Sequence, residues 1–167
     1  MEQLLTLRAG RYTPVGPGSI PTGEIAPVER TPMDFRTPAA IGARIDWPFR
    51  QLELCSGYDH NWVVDGKTGV LRPAAVLESM KSGIRMEVGT TLPGIQFYAG
   101  NYMAGCPVGK DGAHYGRRDA VCLETQFFPD TPNRPEFPPC VLRPGGAWEH
   151  ETVFRFSRTN RACGNEK

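Results

Sequence analysis

Residues 121–135 read Val121-Cys122-Leu123-Glu124-Thr125-Gln126-Phe127-Phe128-Pro129-Asp130-Thr131-Pro132-Asn133-Arg134-Pro135. The first seven alternate as a β-strand does. Val121, Leu123, Thr125 and Phe127 fall on one face; Cys122, Glu124 and Gln126 fall on the other. The pattern predicts a buried strand with a carboxylate, Glu124, in its middle. Pro129, Pro132 and Pro135 then fix a stiff loop. Burying a carboxylate is costly unless it is paired or used. One held at the floor of a groove can serve as a general base.

The same period recurs outward along the chain. Ile84, Met86 and Val88 share a face against Arg85 and Glu87. Ile95 and Phe97 share a face, which leaves Gln96 and Tyr98 together on the other. Trp148, Phe154 and Phe156 align against Glu149, Glu151 and Arg155. Residues 71–79 read as a further strand, with Pro73 pushing its start toward an edge or a bulge. Residues 38–45 read as a short helical turn. Six prolines between Pro14 and Pro38 predict an ordered, extended connection. With 19 glycines and 16 prolines spread throughout, long helices are disfavoured. The predicted class is all-β, an antiparallel β-sandwich in a single domain over residues 1–167, with 158–167 as a flexible tail. Each strand presents one apolar face for a second sheet to cover. The polar face carrying Gln96, Tyr98, Glu124 and Gln126 is left to line a groove.

Composition excludes several classes of partner. The charge is balanced at +1, with 19 basic and 18 acidic residues and no basic stripe, so nucleic acid is not expected. No run approaches the ~18 apolar residues of a membrane helix, and Leu4, Leu5 and Leu7 are too few for a signal peptide. Five cysteines at 55, 106, 122, 140 and 163 show no C-x-x-C spacing. Reduced thiols in a cytoplasmic protein are expected rather than disulfides or zinc. His60, His114 and His150 lack metal-ligand spacing, so no metal is expected.

Two further runs suit a polyol ligand. Gly57-Tyr58-Asp59-His60-Asn61-Trp62 interleaves aromatic and hydrogen-bonding residues, and Asp59 can accept strong hydrogen bonds from hydroxyls. Gly-x-Asp is also ordinary turn chemistry. In Pro93-Gly94-Ile95-Gln96-Phe97-Tyr98-Ala99-Gly100-Asn101, Gln96 can both donate and accept, although most glutamines simply face solvent. The prolines from Pro129 to Pro139 read as the wall of a site. Asp130, Asn133 and Glu136 interrupt any polyproline ligand for a peptide-binding domain.

Taken together, these runs resemble the aldose 1-epimerase (galactose mutarotase) family. The resemblance rests on Arg11-Tyr12-Thr13-Pro14-Val15, Ile20-Pro21-Thr22-Gly23-Glu24, Gly57-Tyr58-Asp59-His60, Gly94-Ile95-Gln96-Phe97-Tyr98 with Gly100-Asn101, Leu123 to Asn133, and Leu142-Arg143-Pro144-Gly145. They run in order from about residue 8 to about residue 157. The resemblance implies a β-sandwich of the supersandwich type. It also implies cofactor-free interconversion of the α and β anomers of free aldoses such as galactose or glucose. In that mechanism a glutamate takes the C1 hydroxyl proton while a histidine protonates the ring oxygen. Glu124 matches the base, and Asp59 and Gln96 match sugar-binding positions. The family's acid lies in an Asn-His-x-Tyr-Phe-Asn-Leu type run upstream of the Arg11-Tyr12 motif, and no such run occurs here. The chain therefore resembles the C-terminal half of the family's domain, a partial domain. The expected alternative to an epimerase is a carbohydrate-binding remnant without useful turnover. Half of a sandwich leaves open edges and apolar faces, to be met by self-association or by a separately made N-terminal half.

Overall fold

Inward rows of apolar side chains on alternating strands bring two sheets face to face. The computed structural model describes residues 1–159. Its elements are β1 (Leu4–Leu7), β2 (Arg11–Thr13), β3 (Ala26–Pro27), β4 (Ala39–Ala40), α1 (Arg50–Cys55), β5 (Asp59–Val63), β6 (Arg72–Glu78), β7 (Ile84–Thr90), β8 (Gly94–Tyr98), β9 (Cys122–Gln126) and β10 (Thr152–Arg158). One sheet has the order β10-β7-β6-β1-β4 and the other β3-β2-β5-β8-β9. All the paired strands are antiparallel. The all-β antiparallel sandwich expected from alternation is the observed architecture.

The first sheet sends Leu5 and Leu7 into the core and the second sends Trp62, Ile95 and Phe97. The proline-rich connection closes one side of this core. Trp62 Nε1 donates to Met33 O at 3.0 Å, and the Tyr58 hydroxyl donates to Pro32 O at 3.0 Å. Phe35 packs edge-on against Tyr58 at 5.1 Å, and Tyr58 stacks on Phe97 at 5.3 Å. Arg72 is buried, and its guanidinium donates to the carbonyls of Val64, Asp65, Val70, Thr90 and Leu92. A single side chain thus satisfies backbone carbonyls of the β5–β6 connection and of the β7–β8 turn.

Two local expectations are refined, and one helix was not foreseen. Pro73 sits in an interior strand, where a register shift between Pro73 and Ala75 makes the bulge that tolerates it. The helical turn at 38–45 narrows to a single turn at Ile41–Ala43. A six-residue helix, α1, follows Pro48; it buries Leu52 and Cys55 and ends at Ser56 in the left-handed region. Two other expectations are corrected. Trp148 does not belong to the last strand: it precedes β10, stacks on His150 at 4.4 Å and leans on Phe127 at 5.7 Å. Phe154 and Phe156 do share a face, but they are 48% and 67% exposed because the opposing sheet does not reach them. Of the tail expected over 158–167, Arg158 belongs to β10 and Thr159 N donates to Gly83 O at 2.8 Å. Residues 160–167 of that expected tail lie outside the described residues.

Candidate active site

Strands β5, β8 and β9 lie side by side, and their register lines up the polar positions. Asn61 pairs with Gln96 and Gln96 with Glu124; Asp59 pairs with Tyr98 and Tyr98 with Cys122. Directly paired residues in antiparallel strands share a face. Asp59, Gln96, Tyr98, Glu124 and Gln126 therefore project together from the outer face of the second sheet. With Tyr102 and Pro129 they line an open hollow of about 340 Å³. The three residues singled out from sequence, Glu124, Asp59 and Gln96, meet in this one place.

A relay of amides holds the floor. Gln96 Nε2 donates to Asp59 Oδ1 at 2.8 Å. Gln126 Nε2 donates to Gln96 Oε1 at 3.2 Å and to Asn61 Oδ1 at 3.4 Å, and Asn61 Nδ2 reaches Thr13 Oγ1 at 3.4 Å. These contacts orient the Gln96 amide and fix the Asp59 carboxylate. No hydrogen bond to Glu124's side chain occurs among the described residues, so its oxygens are free to accept. The strand carrying it is not the buried strand expected. Because β9 is an edge strand, Glu124 is solvent-exposed on the open side of the sheet.

The walls come from the loops after β8 and β9. Gly100 adopts φ 67°, and a Cβ there would lie 2.6 Å from Ala120 O, so the turn requires glycine. Asn101 is buried and donates to the carbonyls of Cys55 and Tyr58 at 3.0 and 2.9 Å. This anchored turn swings Tyr102 back onto Tyr98, ring against ring at 6.3 Å and 20°, and Tyr102 N donates to the Tyr98 hydroxyl. Sequence reasoning missed Tyr102; the Gly100-Asn101 turn was the signal that could have found it. On the far side, Asp130 binds Asn133 and Arg134, and Arg134 reaches Pro21 O at 2.7 Å. Phe128 packs edge-on against Phe137 at 5.2 Å. The proline loop is therefore the fixed wall its composition predicted.

None of the three histidines lines this hollow. His60 points inward from β5: its Nδ1 accepts from Asp59 N at 3.1 Å, its Nε2 lies 3.7 Å from Cys55 Sγ, and burial pushes it down to about 3. It is a neutral core histidine that steadies the start of β5. Cys122 shares the outer face with Glu124; partial desolvation, then the carboxylates of Glu124 and Asp59, raise its thiol. Among the described residues no three His, Cys, Asp or Glu side chains come together as a metal centre needs. A larger hollow of about 420 Å³ lies on the first sheet, lined by Arg8, Arg72, Arg85 and Arg155 among others. Its inner cations are spent, Arg72 on backbone carbonyls and Arg85 on Glu78 and Glu87 at 2.7 and 2.8 Å.

Known proteins share both the sequence and the architecture. A family model described as aldose 1-epimerase matches residues 1–155. Galactose mutarotase of Homo sapiens is 43% identical over 153 residues, covering 92% of this chain and 43% of that protein. Aldose 1-epimerase of Escherichia coli (strain K12) is 34% identical over 154 residues, covering 91% of this chain and 44% of that protein. The crystal structure of a GalM/aldose epimerase homologue from C. elegans superposes with a TM-score of 0.82 at 31% identity, covering 95% of this chain and 46% of that one. This chain thus spans less than half the length of these relatives. A match across nearly the whole of its described length, carried on the same sandwich, places this chain in the aldose 1-epimerase family.

Proposed function

We propose that this chain supplies the base and part of the sugar-binding floor of an aldose 1-epimerase acting on free aldohexoses such as galactose or glucose. The observation that carries this reading is the convergence of Glu124, Asp59 and Gln96 on one hollow. Asp59 and the Gln96 amide bind ring hydroxyls through charge-assisted and neutral hydrogen bonds. Glu124 takes the proton from the C1 hydroxyl, and the ring opens as the C1–O5 bond breaks. Rotation about C1–C2 and reclosure give the other anomer, and the proton returns from Glu124. The ring oxygen needs a proton donor while the bond breaks, and no histidine is among the residues that line the hollow. The family names of the relatives and the free thiols of Cys55, Cys106, Cys122 and Cys140 support a cytoplasmic sugar isomerase.

The absence of a histidine from this lining leaves a second reading, a sugar-binding protein without turnover. Polarimetry of freshly dissolved α-galactose separates the two. Accelerated decay of rotation that disappears in Glu124→Gln supports the epimerase. No acceleration, together with galactose-dependent shifts of the Gln96 side-chain amide in NMR spectra, supports the remnant.

A further inference from the structure

Strand β5 loses one neighbour just before Asp59. β2 pairs with it only as far as Thr13, which lies opposite Asn61. The same register carried onward would set Val15 opposite Asp59. Pro14 has no N–H with which to continue the ladder, and Val15 is drawn off toward α1. Its N–H donates to Gln51 Oε1 at 2.7 Å, and its carbonyl accepts from Gln51 Nε2 at 3.0 Å.

The neighbour on the other side does not make up the loss. Ala99 N donates to Tyr58 O at 3.0 Å. Hydrogen-bonded and non-hydrogen-bonded pairs alternate along an antiparallel ladder. At the next pair, Asp59 with Tyr98, the N–H and C=O of Asp59 therefore turn away from β8 and toward the side that β2 has left. Backbone groups withdrawn from water must find other partners.

They find them in two side chains. Asp59 N donates to His60 Nδ1 at 3.1 Å, and Cys55 Sγ donates to Asp59 O at 3.8 Å. The same sulfur lies 3.7 Å from His60 Nε2. A neutral imidazole carries a single N–H. Because Nδ1 accepts, that proton sits on Nε2 and faces the sulfur. The contacts close a ring around the two peptide groups of Asp59. Cys55 and His60 are both fully buried, so water does not compete for them. Edge-on packing of the imidazole against Tyr12 and Trp62, at 6.2 and 6.3 Å, holds its plane. The carboxylate of Asp59 is held separately, by Gln96 Nε2 at 2.8 Å.

We propose that His60 and Cys55 are positioning residues for sugar recognition: they stand in for the strand partner that Asp59 lacks and so set where its carboxylate meets the hollow. The proposal rests on the reading of Asp59 as a sugar-binding residue. Neither side chain lines the hollow itself. Both act through Asp59, whose backbone they fix from its N–H and its C=O. Recognition groups have to be held within about 0.5 Å of their productive place, and a backbone free to shift at the start of β5 would not do so.

The test compares His60→Gln with His60→Asn in the full chain. Asparagine puts an amide oxygen near the place of Nδ1, where it accepts from Asp59 N; the longer glutamine carries its amide to the place of Nε2 instead. Both lose the ring contacts with Tyr12 and Trp62, so urea unfolding should weaken in both. Galactose affinity, measured by NMR titration, should fall roughly tenfold in His60→Gln, the scale of one hydrogen bond, and return to within about threefold of the parent in His60→Asn. Equal losses in the two variants would make His60 a packing residue only and overturn the proposal. The side-chain amide signals of Gln96 give a second readout that needs no sugar. They should move in His60→Gln and stay near the parent positions in His60→Asn; signals unmoved in both overturn the proposal. A parent chain that binds no galactose, with Gln96 signals that still separate the variants, upholds the clamp on Asp59 and counts against the sugar-binding reading. Should neither His60 variant fold, Cys55→Ser, which keeps a donor for Asp59 O, and Cys55→Ala, which does not, make the same comparison, and identical Gln96 signals in that pair overturn the proposal.

Discussion

Gln96 Nε2 donates to Asp59 Oδ1 at 2.8 Å from a position diagonal to it across the β5–β8 pair. The bond joins residues 37 apart in sequence, both of which line the hollow. Behind it, Gln126 and Asn61 complete the relay. Two strands thereby hold one acceptor and one donor at a fixed separation, as recognition of neighbouring hydroxyls requires.

Glu124→Gln should separate chemistry from stability. The side chain is exposed, so urea unfolding should move by no more than about 0.5 kcal/mol. Acceleration of mutarotation should fall by roughly 10²–10⁴-fold, the scale of general base catalysis. A variant that kept its full rate would remove Glu124 from the reaction.

Gln96→Ala should weaken galactose binding by roughly tenfold or more, since it frees Asp59 and deprives Gln126 of a partner. The accompanying loss of stability should be about 1 kcal/mol, the net worth of such a hydrogen bond. NMR titration with galactose measures the first effect and chemical denaturation the second. Unaltered affinity would show that the relay does not position Asp59.

Arg72→Met should be among the most destabilising substitutions, costing at least about 3 kcal/mol. It strands five carbonyl groups that the guanidinium satisfies. Arg72→Lys should recover little, because an ammonium has three donors in another geometry. A lysine variant as stable as the parent would refute this account.

Stability should fall as the pH drops from about 6.5 toward 3. Burial holds folded His60 neutral, with its titration lowered from 6.5 to about 3. Between those values the unfolded chain binds a proton that the folded chain refuses, so stability rises with pH through this window. The slope from this group approaches ~1.4 kcal/mol per pH unit. Comparing the pH dependence of urea unfolding with that of His60→Phe isolates the contribution, which should vanish in the variant.

Period-two alternation was enough to read β6 to β10 and the antiparallel class, because a strand's side chains take sides without help from elsewhere, whereas β1 to β5 were not read as strands. Glu124 and Gln96 were legible as candidates from the polar faces of their strands, and Asp59 from the Gly57-Tyr58-Asp59-His60 run that carries the family resemblance. Their meeting was not legible from local pattern, since register between β5, β8 and β9 is set by cross-strand packing around Trp62 and Phe97. Tyr102 escaped because its position depends on the left-handed turn at Gly100 and on the buried anchor at Asn101.

Exposure divides the two kinds of information most clearly. Alternation alone determined that Phe154 and Phe156 share one side of a strand and that Glu124 lies on a polar face. Only the tertiary arrangement decided that the phenylalanines stand uncovered and that Glu124 sits on an edge open to water. The reason is physical: which way a side chain points follows from the backbone of its own strand, whereas what covers it depends on how far the opposite layer extends.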